Sequence, residues 1–251
     1  MTNDFSCYLS PGDSMSIDYY PAQDSRVASD ERQKIGAASL FFRNDSELWP
    51  EFDGRDLNSM FPKIYFSEHA NDGETTHGLL EPSFLEQLAP FRTSRNLVSL
   101  TIGGNDLLQA IWRSAVAGET SLANEVNTII ERYVHVVETL EKHLVNSTFL
   151  LTTVYDPTDG TGIMPGDTTG QKLPVELLAK FNNSVEQCAL QRGNAIFCDV
   201  HKDFLGHGMS VGQDMWYFLP SPIEPGARAA SEIRRIWLDS LNEALDKQLN
   251  L

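Results

Sequence analysis

Two kinds of hydrophobic pattern alternate along this chain. Short apolar runs end in polar, glycine-bearing turns, and longer stretches repeat apolar residues every three or four positions. The runs are Phe5 to Leu9, a second beginning at Ile64 and Phe66, Leu97 to Ile102, Thr148 to Tyr155 and Ala195 to Val200. Their length and their β-branched and aromatic content predict five buried strands. Between them, Leu122, Val126, Ile129, Tyr133, Val137, Leu140 and Leu144 predict a helix over 121–145, and Ile233, Trp237, Leu241 and Leu245 predict a last helix after Pro225-Gly226. Pro174 opens and Gly193 closes another. Further helices are expected after Gly103–Asp106, from Thr75 or Thr76 as cap through Leu79, Leu80, Phe84 and Leu88, and from Ser29 as cap through Ile35, Ala38, Leu40 and Phe41. A short one is expected to run from Ser14 to about Tyr20-Pro21.

Strands alternating with helices specify a mostly parallel five-stranded sheet covered on both faces, a three-layer α/β/α sandwich of flavodoxin-like type. In such sheets the turns after the strands gather at one edge, where ligands bind. The 251 residues, 41% hydrophobic, are read as one domain, 1–251.

Charge and composition narrow the possible partners. A formal net charge of -16 opposes association with nucleic acid and anionic membrane surfaces. No apolar run approaches the ~20 residues of a membrane span, and Met1-Thr2-Asn3-Asp4 has no signal-peptide character, so membrane insertion is not expected and a cytoplasmic location is. Cys7, Cys188 and Cys198 are odd in number and widely spaced, which fits buried reduced thiols better than a disulfide framework or a zinc site.

Three strand-end turns carry the candidate chemistry. Pro11-Gly12-Asp13-Ser14 ends the first strand and presents a serine, although Ser16 stands where a nucleophile elbow would have glycine. Asn71-Asp72-Gly73 follows the second strand, and Gly103-Gly104-Asn105-Asp106 the third. Singly, each is ordinary turn chemistry.

In this order and spacing the three turns resemble those of the SGNH hydrolases, the GDSL esterase/lipase family. The resemblance covers nearly the whole chain and implies an α/β/α fold and acyl chemistry; the sequence shows no metal-ligand cluster, and no cofactor is expected. It implies that Ser14 is the nucleophile, that Gly73 gives a backbone N–H to the oxyanion hole, and that Asn105 gives a side-chain amide. A small-molecule ester or acyl substrate follows. The chain departs from the family's last block, Asp-x-x-His-Pro: in Trp216 to Ala227, Ser221 stands at the place of the acid and Glu224 at the place of the histidine.

Glu224 is therefore the candidate base. A carboxylate ordinarily titrates at about 4.3, which makes it a weaker base near neutrality than imidazole unless burial raises it. His207, between Gly206 and Gly208 on the segment after the fifth strand, is the alternative base. Asp13 is assigned to orienting the serine turn, and Asp106 and Asp199 to structural roles; His69, His77, His135, His143 and His201 carry no specific motif. The rival reading is a small-molecule-binding protein on the same scaffold, catalytically impaired by the missing histidine.

Overall fold

The computed structural model describes residues 4–25, 34–117, 119–163, 172–208 and 214–249. Its strands are β1 (Cys7–Gly12), β2 (Tyr65–Ala70), β3 (Asn96–Leu100), β4 (Ser147–Thr152) and β5 (Ala195–Cys198). They form one sheet in the order β2-β1-β3-β4-β5, and every pairing is parallel. The helices are α1 (Tyr19–Asp24), α2 (Ala37–Phe42), α3 (Leu57–Met60), α4 (Pro82–Leu88), α5 (Gly104–Ala117), α6 (Glu119–His143), α7 (Val175–Leu190), α8 (Val200–Phe204) and α9 (Ala227–Leu249).

The period-two alternation of the strands sorts their side chains into two cores. Tyr8, Leu97 and Leu150 pack with Ala38 and Phe41 of α2 and with Ile233 and Trp237 of α9. Leu9, Val98, Leu100, Phe149 and Leu151 face the other way, onto Leu107 of α5, Val126 and Tyr133 of α6 and Phe181 of α7. The three-layer sandwich read from the sequence is the observed architecture. Two polar side chains inside it find partners, as the Trp237 indole donates to Thr152 Oγ1 at 2.9 Å and Tyr8 shares a 2.8 Å hydroxyl bond with Ser99, whereas the buried Tyr133 hydroxyl has no hydrogen-bond partner among the described residues. The three cysteines are buried and free.

Several local expectations are corrected. Ser14 does not start a helix. Residues 14–16 form a turn, closed by Ser16 N–H donating to the Asp13 carbonyl at 3.1 Å, and α1 begins only at Tyr19. Pro21 read as a stop because it lacks an N–H, but in a helix's first turn that N–H has no intrahelical partner to lose. The Ser29 cap lies outside the described residues, and α2 starts at Ala37 behind Gly36. Neither Thr75 nor Thr76 caps α4: a 3-10 turn at Gly78–Leu80 intervenes, Glu81 precedes the helix, and the Thr76 hydroxyl bonds Asp106 instead. β5 stops at Cys198 because the Asp199 carboxylate accepts from Lys202 N–H and caps α8, a helix the apolar pattern had hidden.

Strand order places the site. Chain order reverses between β1 and β3, so the turns leaving these two strands diverge to opposite faces and open a crevice at their carboxyl ends. Ser14 follows β1 and Asn105 follows β3. No helix among the described residues is long and apolar enough to cross a membrane.

Candidate active site

The serine turn is fastened to the end of β3. Asp13 N–H donates to the Thr101 carbonyl at 2.9 Å, and the Ser16 and Thr101 hydroxyls are 2.8 Å apart. Gly12 makes this possible: its φ is 156°, and a Cβ there would lie 2.4 Å from the Thr101 carbonyl oxygen. Asp13 accepts Met15 N–H at 3.1 Å, which holds the turn around Ser14. Asp13 is 2% exposed, and burial, reinforced by the Glu224 and Asp106 charges, pushes its carboxyl up to about 7 against lowering hydrogen bonds from Met15 and Thr101.

Glu224 reaches the same place from the far end of the chain. Loop 216–226 is pinned by Phe218 N–H to the Glu224 carbonyl at 2.8 Å, Glu224 N–H to the Ser221 carbonyl at 2.9 Å, and Gly226 N–H to the Trp216 carbonyl at 2.9 Å. The Tyr155 hydroxyl, just beyond β4, donates to the Ile223 carbonyl at 2.9 Å. Backbone fixed on both sides thus delivers the Glu224 carboxylate to Ser14. Glu224 is 8% exposed; desolvation raises its pKa above the usual carboxylate range, a hydrogen bond with the Ser14 side chain works against that rise, and the Asp72 charge adds to it. Its Oε2 is buried with no hydrogen-bond partner among the described residues. Ser221, at the place of the family's acid, only closes the turn, donating its N–H to the Phe218 carbonyl at 3.0 Å.

Asn105 lies in the first turn of α5, and its Nδ2 donates to the Glu74 carbonyl at 2.9 Å. An amide nitrogen carries two hydrogens, so one remains for a ligand oxygen. The same stretch is tied a second time, because Thr76 donates its N–H and hydroxyl to the two Asp106 oxygens at 2.9 and 2.6 Å. Arg132 of α6 completes the clamp, with Nη2 2.8 Å from Asp106 and Nε donating to the Thr76 hydroxyl at 2.5 Å. Gly73 sits in the exposed turn of this loop with φ 72°.

Ser14, Asn105 and Glu224 share a cavity of about 230 Å³, and Asp13 and Tyr155 also border it. Its remaining wall is largely aliphatic, from α5, α6 and α7. Gly73 and His207 are not among its lining residues. The His207 ring is stacked on Trp216, 3.6 Å between centroids, with Nδ1 3.0 Å from an Asp214 carboxylate oxygen. The glycines flanking it serve a different contact: both N–H groups donate to Asp159 Oδ1, at 3.0 Å from Gly206 and 2.9 Å from Gly208, and a Cβ on Gly208 would come within 2.6 Å of that carboxylate. The structure therefore brings together Ser14, Asn105 and Glu224, and leaves His207 on a neighbouring wall.

Sequence reasoning passed over three residues that build this edge. Asn182 of α7 makes a two-way bond to Val154, accepting its N–H at 2.9 Å and donating to its carbonyl at 2.8 Å. A polar residue on a helix face shared with Val185 and Ala189 was the available signal. Asp156 folds the start of the next loop by accepting from Thr158 N–H at 2.8 Å and Gly160 N–H at 2.9 Å. Arg132 had no signal, since it flanks the apolar stripe of α6 like any surface arginine.

Solved structures share this architecture over almost the full chain. A phospholipase A1 from Streptomyces albidoflavus NA297 is similar with a TM-score of 0.58 and 20% identity, covering 96% of this chain and 99% of its own. An extracellular lipase from Streptomyces rimosus gives 0.56 and 20%, covering 95% and 99%. A variant acetyl-xylooligosaccharide esterase from Geobacillus Stearmophilus gives 0.57 and 16%, covering 96% of each. The chain has the α/β/α fold of the SGNH hydrolases. No protein-family model and no curated protein sequence matches it.

Proposed function

We propose that this protein is a serine hydrolase of SGNH/GDSL type that cleaves an ester through an acyl-enzyme on Ser14, with Glu224 as general base. The observation that carries the reading is that Ser14, Asn105 and the buried carboxylate of Glu224 line one and the same cavity. The solved structures of similar fold, named as lipases and an esterase, support the same class.

The chemistry follows from these positions. Ser14 Oγ attacks the ester carbonyl carbon while Glu224 takes the hydroxyl proton. The carbonyl oxygen gains negative charge and is met by the free N–H of the Asn105 amide. Glu224 then gives the proton to the leaving alkoxide; in the second half it takes a proton from the water that attacks the acyl carbon and returns it to Ser14 Oγ as the acyl C–O bond breaks, which releases the acid and regenerates the serine and the carboxylate. Burial suits the carboxylate to this task because a raised pKa makes it a stronger base near neutrality.

A binding protein on the same scaffold is the second reading, favoured by the lack of any histidine among the described cavity residues. A fluorophosphonate probe separates the two. Covalent labelling of folded protein that vanishes in Ser14→Ala supports the hydrolase. Folded protein that resists the probe across pH 5–9 contradicts it.

A further inference from the structure

We infer that the cavity beside Ser14 is an acyl-chain site, sized for an unbranched chain of about nine carbons. The inference rests on the reading of Ser14 as an acyl-transfer nucleophile and adds the substrate class.

The walls are aliphatic on three sides. Leu107, Leu108 and Ile111 come from α5, Val126 from α6, and Leu177 and Leu178 from α7. The three carboxyl residues that border the cavity, Asp13, Asp156 and Glu224, are each buried and engaged in the serine turn, the loop fold and the contact with Ser14 respectively. The described lining contains no basic residue to recognise an anionic group. Trp112, 67% exposed, stands at the rim as an apolar lip.

Volume sets the length. An apolar cavity of 150 Å³ holds the six carbons of benzene, so about 230 Å³ accommodates about nine. Geometry assigns the chain to the acyl side. The leaving oxygen must face Glu224 to receive its proton, and Glu224 belongs to the 216–226 loop, beside Asp72 and Tyr20, whose hydroxyl donates to Asp72 at 2.9 Å. The carbonyl oxygen faces Asn105 at the start of α5. The remaining substituent of the carbonyl carbon, the acyl chain, then runs along α5 toward α7.

The test uses two series on the full chain. In one, kcat/KM is measured for ethyl esters of straight acyl chains from two to sixteen carbons, and for octanoate esters of alcohols of increasing length. In the other, calorimetry measures binding of straight-chain alcohols from four to twelve carbons, which needs no catalysis. Both readouts are expected to rise about fourfold per methylene up to eight to ten carbons and then level off, while lengthening the ester's alcohol has little effect. Leu178→Trp should move the break to shorter chains, and Leu178→Ala, the milder change, should not. Acetate esters cleaved as well as octanoate esters, or a break unmoved in Leu178→Trp with folded protein, overturn the acyl-chain site and leave the hydrolase standing. A length dependence in the alcohol of the ester instead overturns the acyl-side assignment. Chain-length-dependent binding of alcohols without turnover of any ester supports the chain site and overturns the hydrolase. No binding of any alcohol overturns the chain site whatever the activity.

Discussion

Two buried carboxyl groups, Asp13 and Glu224, border the cavity at Ser14, and they are held differently. Glu224 shares the cavity with Ser14 and Asn105, whereas Asp13 accepts the Met15 N–H and so holds the serine turn. The account therefore predicts that Glu224→Gln, which keeps shape and loses the base, lowers kcat by at least 10² with little change in KM. For wild type, kcat/KM should rise with pH through a midpoint above the ordinary carboxylate value, since the base must be ionised and burial raises its pKa. A limb unchanged in Glu224→Gln would assign the titration to another group. Asp13 adds a stability effect. Its folded pKa of about 7 exceeds the ordinary 3.8 of an exposed aspartate, so between these the folded state holds more protons than the unfolded state and stability falls as pH rises. Asp13→Asn still accepts Met15 N–H and removes that titration. Its thermal midpoint should fall less than that of wild type between pH 4 and pH 7, and parallel curves would show that Asp13 is not the group responsible.

Loops rather than single residues hold the geometry. The stretch 71–77 that carries Gly73 is tied to α5 by Asn105 and Asp106, and Arg132 reaches the same knot from α6. Removing Arg132 leaves the 2%-exposed Asp106 carboxylate without its cation, so Arg132→Met should destabilise the fold by roughly 3 kcal/mol. It should also lower kcat more than it raises KM, because donors placed for the transition state are the ones displaced, and Arg132→Lys should recover part of both. Equal losses in stability alone, with kcat intact, would make the clamp purely structural. Asn105→Ala should cost about 10²–10³ in turnover while the chain stays folded.

Legibility also differs by element. The Gly12-Asp13-Ser14 and Gly103–Asn105 turns were readable because glycine and asparagine at strand ends have few other uses. The Thr76–Asp106–Arg132 clamp was not, because its members lie 26 and 56 positions apart along α5, α6 and the loop before them, and no local pattern relates them. The start of α1 was misread for a local reason, the ambiguity of a proline that both ends helices and opens them.

Across the whole molecule, the parallel sheet follows from buried strand runs and long amphipathic helices, whose periodicities are strong over many residues. Strand order could not be read from periodicity, and it is the order that puts β1 beside β3 and so Ser14 beside Asn105. The last-block departure was visible as Glu224 in place of histidine, but only the folded loop 216–226 shows that this carboxylate arrives at Ser14 while His207 stacks on Trp216. The central claim concerns the covalent step. Rapid mixing of wild type with an octanoate ester, acid quench and peptide mass analysis should find an octanoyl group on the peptide containing Ser14, and Ser14→Ala should show neither adduct nor turnover. Turnover persisting in Ser14→Ala, or acyl transfer to a different residue, would contradict the account.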